Sequence, residues 1–175
     1  MCGRYELDPA TAKWTRLQTG GLPPARHAAV LGVVGDTLFL FGGTQFDSTT
    51  AMGDAWSIDV RRNTSWSLRP TYGQRPGRMF LAGTAQNGKD LYVLGGLNQL
   101  DQILTGLYKL DMSTWTWTLL TPKNSMPNAA RMQFSLSYHQ NSVSFTSLSV
   151  FFTFAWVVLA ALGPRRGGPH QDRRS

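Results

Sequence analysis

TLFLFGG at residues 37–43 and DLYVLGG at residues 90–96 decide the fold, because each is an apolar run that stops at a glycine pair. Gly42–Gly43 and Gly95–Gly96 lie 53 residues apart. A strand that is apolar at consecutive positions is covered on both faces, since a half-exposed strand alternates. Glycine at its end permits positive φ and a close backbone approach, so the chain leaves a crowded sheet without a Cβ clash. No helix signal follows either pair, which favours this structural role over the cradling of a phosphate.

Working outward, other features keep the same period. Arg26, Arg78 and Arg131 lead three segments, LPPARHAAVLGVV, RPGRMFLAGTA and MPNAARMQFSLSY, at separations of 52 and 53. An aromatic residue, an aspartate and a tryptophan recur as Tyr5, Asp8 and Trp14, then Trp56, Asp59 and Trp66, then Tyr108, Asp111 and Trp117. Several independent features with one period indicate a repeat architecture. Each period reads as four short strands; in the first full copy these are RHAAVLGVV, TLFLFG, DAWSIDV and TSWSLR, separated by turn-forming residues. The aromatic residues near the ends of the third and fourth strands are suited to wedging one sheet against the next.

LFLFGG and LYVLGG, the Trp56…Trp66 and Tyr108…Trp117 pairs and the period near fifty resemble kelch repeats over about residues 4–138. The resemblance implies an all-β fold, a partial kelch β-propeller of four-stranded antiparallel blades with two full repeats plus partial ones and an atypical hydrophobic C-terminal tail. It implies structural roles for Gly42, Gly43, Gly95, Gly96, Trp14, Trp56, Trp66, Tyr108 and Trp117. The divisions expected are a partial blade over 1–20, repeats over 21–70 and 71–121, and the start of a further, incomplete repeat over 122–142. A hydrophobic segment over 143–162 and a basic tail over 163–175 follow. Propellers close with four to eight blades, so the pattern reads as a fragment or truncated isoform of a larger propeller protein. Its open strand edges call for further blades or self-association.

With 42% hydrophobic residues, 18 glycines, nine prolines and 15% charged residues, the composition suits many short elements joined by tight turns. Cys2 is the sole cysteine, so an intramolecular disulfide is excluded, and the composition fits a reducing, cytoplasmic setting. MCGRYELDPATAKW shows no signal-peptide pattern. Residues 1–143 hold 13 Lys+Arg and 9 Asp+Glu, and residues 144–175 add four arginines and one aspartate. The basic residues form no stripe or recognition helix, which argues against nucleic acid as a partner. VSFTSLSVFFTFAWVVLAAL, 143–162, carries no charge and as a helix would reach about 30 Å, enough to cross a bilayer. A membrane-anchored kelch protein is therefore an alternative reading, although the arginines beyond the segment run against the charge rule for a tail anchor. The same segment also has the β-branched and aromatic content of additional strands.

Catalytic patterns are absent from the sequence. His27, His139 and His170 match no metal-ligand spacing, and neither Gly-x-Ser-x-Gly nor a P-loop occurs. Asp8, Asp59 and Asp111, at one repeat position, suit turn capping rather than acid/base work. No enzyme activity, cofactor or metal is expected. Proteins with kelch repeats generally bind other proteins, and a further alternative is the substrate-recognition part of a ubiquitin-ligase adaptor. The candidate protein-binding residues are Arg26, His27, Arg78 and Arg131. Guanidinium groups gathered at one end of adjacent blades would fork onto the carboxylates of an acidic peptide or a chain terminus. The competing reading has each arginine bonding carbonyls of its own loop.

Overall fold

The computed structural model describes residues 4–46, 50–62, 65–124, 135–140 and 142–146. Among these the regular structure is all strand: β1 (Arg4–Asp8), β2 (Lys13–Leu17), β3 (Val30–Val34), β4 (Thr37–Phe41), β5 (Ala55–Asp59), β6 (Ser67–Leu68) and β7 (Tyr72–Gly73). They are followed by β8 (Gly83–Asn87), β9 (Asp90–Leu94), β10 (Leu107–Asp111), β11 (Thr116–Leu120), β12 (Ser135–His139) and β13 (Ser142–Thr146).

Four sheets result. The blade of the first full repeat has the order β3-β4-β5-β6, and that of the second has the order β7-β11-β10-β9-β8. The pairs β1-β2 and β12-β13 form separate two-stranded sheets. Within both blades the main strands run antiparallel in matching register, with Val30 opposite Phe41 in one and Gly83 opposite Leu94 in the other. Two-residue turns at Gly35-Asp36 and Gly88-Lys89 join their first two strands, and the glycines there have φ of 55° and 53°. Such hairpin turns require positive φ at these positions.

The core lies between the two blades. Phe39 and Phe41 on β4, Leu91 and Val93 on β9, Leu110 on β10 and Trp117 on β11 are buried in one cluster. Phe41 meets the Trp117 ring at 5.2 Å between centroids, and Phe39 meets Trp115 at 5.4 Å. Arg69, just after β6, lies over the other partner ring of this contact, 4.8 Å from the Trp115 centroid. Apolar and cation–π packing thus hold one blade against the next. A second packing layer sets Leu136 of β12 against Ala85 of β8 and Leu94 of β9, with Tyr138 stacked on Tyr92 at 5.8 Å.

Two details depart from a uniform four-strand unit. Among the described residues the segment TSWSLR supplies only the two-residue β6, and beside it the Trp66 N–H donates to the Gly20 carbonyl. Linker strand β7 adds a fifth, parallel strand to the second blade by pairing with Thr116–Trp117. A Cβ on Gly73 would stand 2.3 Å from the Trp117 carbonyl oxygen, and one on Gly21 would stand 2.4 Å from that of Trp66. The linkers therefore touch the outer strands through glycine at equivalent points of the repeat.

Candidate functional site

The glycine pairs organise one end of the blades. Gly42 and Gly43 have φ of 68° and 96°, and Gly95 and Gly96 have φ of 66° and 90°. The Gly43 N–H donates to the Met79 carbonyl at 2.8 Å, while the Met79 N–H donates to the Met52 carbonyl at 3.0 Å. Backbone from the next repeat is thus threaded between two segments of the preceding one. A Cβ on Gly42 would meet the Met79 carbonyl oxygen at 2.5 Å, so this junction needs the missing side chain.

The loops joined in this way are the segment leading into β3, the β4–β5 connection and the segment leading into β8. They enclose a cleft of about 530 Å³ whose lining includes Pro24, Arg26, Met52, Asp54, Arg75 and Arg78. Arg26 forms the floor. Its side chain is only 3% exposed, and it grips Asp54 with both ends of the guanidinium, at 2.6 and 2.8 Å. It also donates to the Gly42 carbonyl at 3.0 Å and, through Nε, to that of Pro24 at 3.1 Å. Asp54 accepts a further bond from the Trp56 indole N–H at 2.5 Å. The Arg26 guanidinium, with help from this indole, holds the Asp54 carboxyl below its ordinary pKa against the opposing effect of partial burial.

Arg78 is exposed and differently placed. It donates to the Ala51 carbonyl at 3.3 Å, and its neighbour Arg75 donates to the Gly53 carbonyl at 3.4 Å. Neither belongs to an ion pair among the described residues. The repeat explains the contrast between Arg26 and Arg78. The segment Asp54-Ala55-Trp56 corresponds to Gly106-Leu107-Tyr108 one period later, so the position that gives Arg26 its carboxylate holds glycine in the copy that contains Arg78.

Of the sequence-predicted site residues, Arg26, Arg78 and His27 fall on these loops. His27 is exposed and its ring meets Phe46 edge-on at 6.0 Å. Arg131 lies outside the described residues. Sequence reasoning passed over Asp54 and Arg75, although alignment of the two copies at Asp54 and Gly106 carried a signal for the first. The repeated aspartates cap turns: Asp8, Asp59 and Asp111 accept from the N–H groups of Ala10, Arg61 and Ser113 respectively. Trp117 is buried, Trp56, Trp66 and Tyr108 are half-buried, and Trp14 is exposed. Among the described residues no helix is long and apolar enough to cross a membrane. Most of the 143–162 segment and all of the 163–175 tail lie outside them.

Stacked blades joined through the Gly42–Gly43 junction and aromatic wedges define a repeat protein of the β-propeller type. The chain belongs to the kelch-repeat family: the KLHDC2/KLHL20/DRC7 Kelch-repeats domain matches residues 2–146. It is 33% identical over 122 residues to Kelch domain-containing protein 10 of Rattus norvegicus, covering 69% of this chain and 29% of the relative. It is 30% identical over 129 residues to Kelch domain-containing protein 3 of Bos taurus, covering 68% and 33%. The match therefore spans about a third or less of these relatives' length.

Proposed function

We propose that the chain is a non-catalytic protein-interaction scaffold and that its cleft receives a carboxylate-bearing peptide segment. The observation that carries this reading is the division of labour among three arginines. Arg26 is occupied by Asp54 and fixes the loops, whereas among the described residues Arg75 and Arg78 make only long bonds to backbone carbonyls. Arginine is suited to such recognition because its planar fork meets a carboxylate through two parallel hydrogen bonds.

Fluorescence anisotropy with a glutamate-rich peptide and its glutamine counterpart tests this role. The acidic peptide should bind at least ten-fold more tightly. Arg75→Glu combined with Arg78→Glu should abolish the difference while leaving the unfolding transition in place. Equal binding of both peptides, or an unchanged preference in the double variant, would refute the role assigned to the cleft.

A further inference from the structure

The three arginines of the cleft differ in what balances their charge. Asp54 commits both carboxylate oxygens to Arg26, and one of them also accepts the Trp56 indole N–H, so this acid neutralises Arg26 alone. Arg75 and Arg78 are exposed and belong to no ion pair among the described residues. Two guanidinium groups in one lining thus keep their charge and their forked N–H edges for a ligand.

The backbone sets the interval between them. Met52 donates its N–H to the Gly43 carbonyl and accepts from the Met79 N–H, so both its backbone groups serve the glycine junction. The residues on either side of Met52 turn their carbonyls to the arginines: Arg78 takes that of Ala51 at 3.3 Å and Arg75 that of Gly53 at 3.4 Å. This alternation is that of an extended segment, in which two residues span about 6.5–7 Å. Both bonds are long for N–H···O, and a carboxylate, whose charge-assisted bonds are stronger, displaces a carbonyl from either fork. Gly53 lets the Arg78 stem lie close, since a Cβ there would stand 3.0 Å from its Cγ and 3.4 Å from its Cα. Gly53 is not in the left-handed region, and Thr105 stands one period later, so the connection itself does not demand glycine. The contact with Arg78 does.

We propose that the segment received by the cleft is extended and carries two acid side chains two residues apart, one for Arg75 and one for Arg78. The inference rests on the reading of the cleft as a carboxylate site and specifies its ligand. Side chains at i and i+2 of an extended peptide project to the same side, about 6.5–7 Å apart, which matches the interval between the Ala51 and Gly53 carbonyls. Acids at i and i+1, or at i and i+3, project to opposite sides and leave one arginine unserved. Arg26 takes no part in this recognition, because its fork is already filled by Asp54.

Binding of the full chain to labelled peptides of equal charge reads the spacing without any variant. Glu-Glu, Glu-Ser-Glu and Glu-Ser-Ser-Glu are placed in one serine-glycine frame, with Glu-Ser-Gln and Gln-Ser-Gln as references. Glu-Ser-Glu should bind about ten-fold or more tightly than the other two spacings and than Glu-Ser-Gln, since a second charge-assisted pair is worth at least that factor. In Arg75→Gln and in Arg78→Gln its advantage over Glu-Ser-Gln should fall to about two-fold or less, the statistical gain of a second acid. Equal affinity across the three spacings would overturn the two-seat match, as would an advantage of the second acid that survives in both variants. If the three spacings then still exceed Gln-Ser-Gln, the carboxylate reading of the cleft stands without this inference; if they do not, both fall.

Discussion

At the scale of the residue, the Arg26–Asp54 pair and the glycine junction carry the sharpest energetic consequences. Removal of one partner from this partly buried ion pair costs about 1–3 kcal/mol, because the other charge and the hydrogen bonds it served are left uncompensated. Arg26→Ala should therefore lower stability by about that amount in denaturant unfolding, and Arg26→Lys should recover only part, since lysine lacks the two-pronged grip. The pH dependence follows from the depressed pKa of Asp54. Its contribution is complete above the ordinary carboxylate value of about 3.9 and is lost as pH falls through the lower folded value, so Arg26→Ala should flatten the acid limb of the stability curve. At Gly42, valine would meet both a positive φ and the Met79 carbonyl. Gly42→Val should cost about 2 kcal/mol or more and broaden the thermal transition; an unchanged melting curve would contradict the junction described.

At the scale of the element, Trp117 joins two blades. Its ring packs against Phe41 and stands edge-on to Tyr108 at 6.5 Å, yet its buried indole N–H meets no acceptor among the described residues. Shape and apolar area, rather than a hydrogen bond, therefore account for its contribution. Trp117→Ala should destabilise by about 3–5 kcal/mol, and Trp117→Phe by markedly less, which chemical denaturation of the two variants can compare. Much at this scale was legible in the sequence: consecutive apolar residues in TLFLF and DLYVL mark strands packed on both faces, and the 52-residue recurrence marks the blades. Strand β7 was not legible. Tyr72–Gly73 carries no strand signal of its own, and its pairing depends on a tertiary approach that Gly73 permits. The cleft was half legible: the recurrence of Arg26 and Arg78 located its loops, but equal sequence positions concealed unequal partners, because that inequality arises at Asp54 and Gly106.

At the scale of the whole molecule, each blade touches its neighbours and little else, so stability accumulates by contact between successive units. The Met79 backbone, held between Gly43 and Met52, also bears on how the chain is made. Synthesis delivers residues in order, so the first blade leaves the ribosome with the slot at its glycine loop still unfilled and is locked only when the next repeat emerges. The first blade is finished by its successor, and an interruption of translation between the two would strand a half-latched sheet for the chaperone machinery to hold.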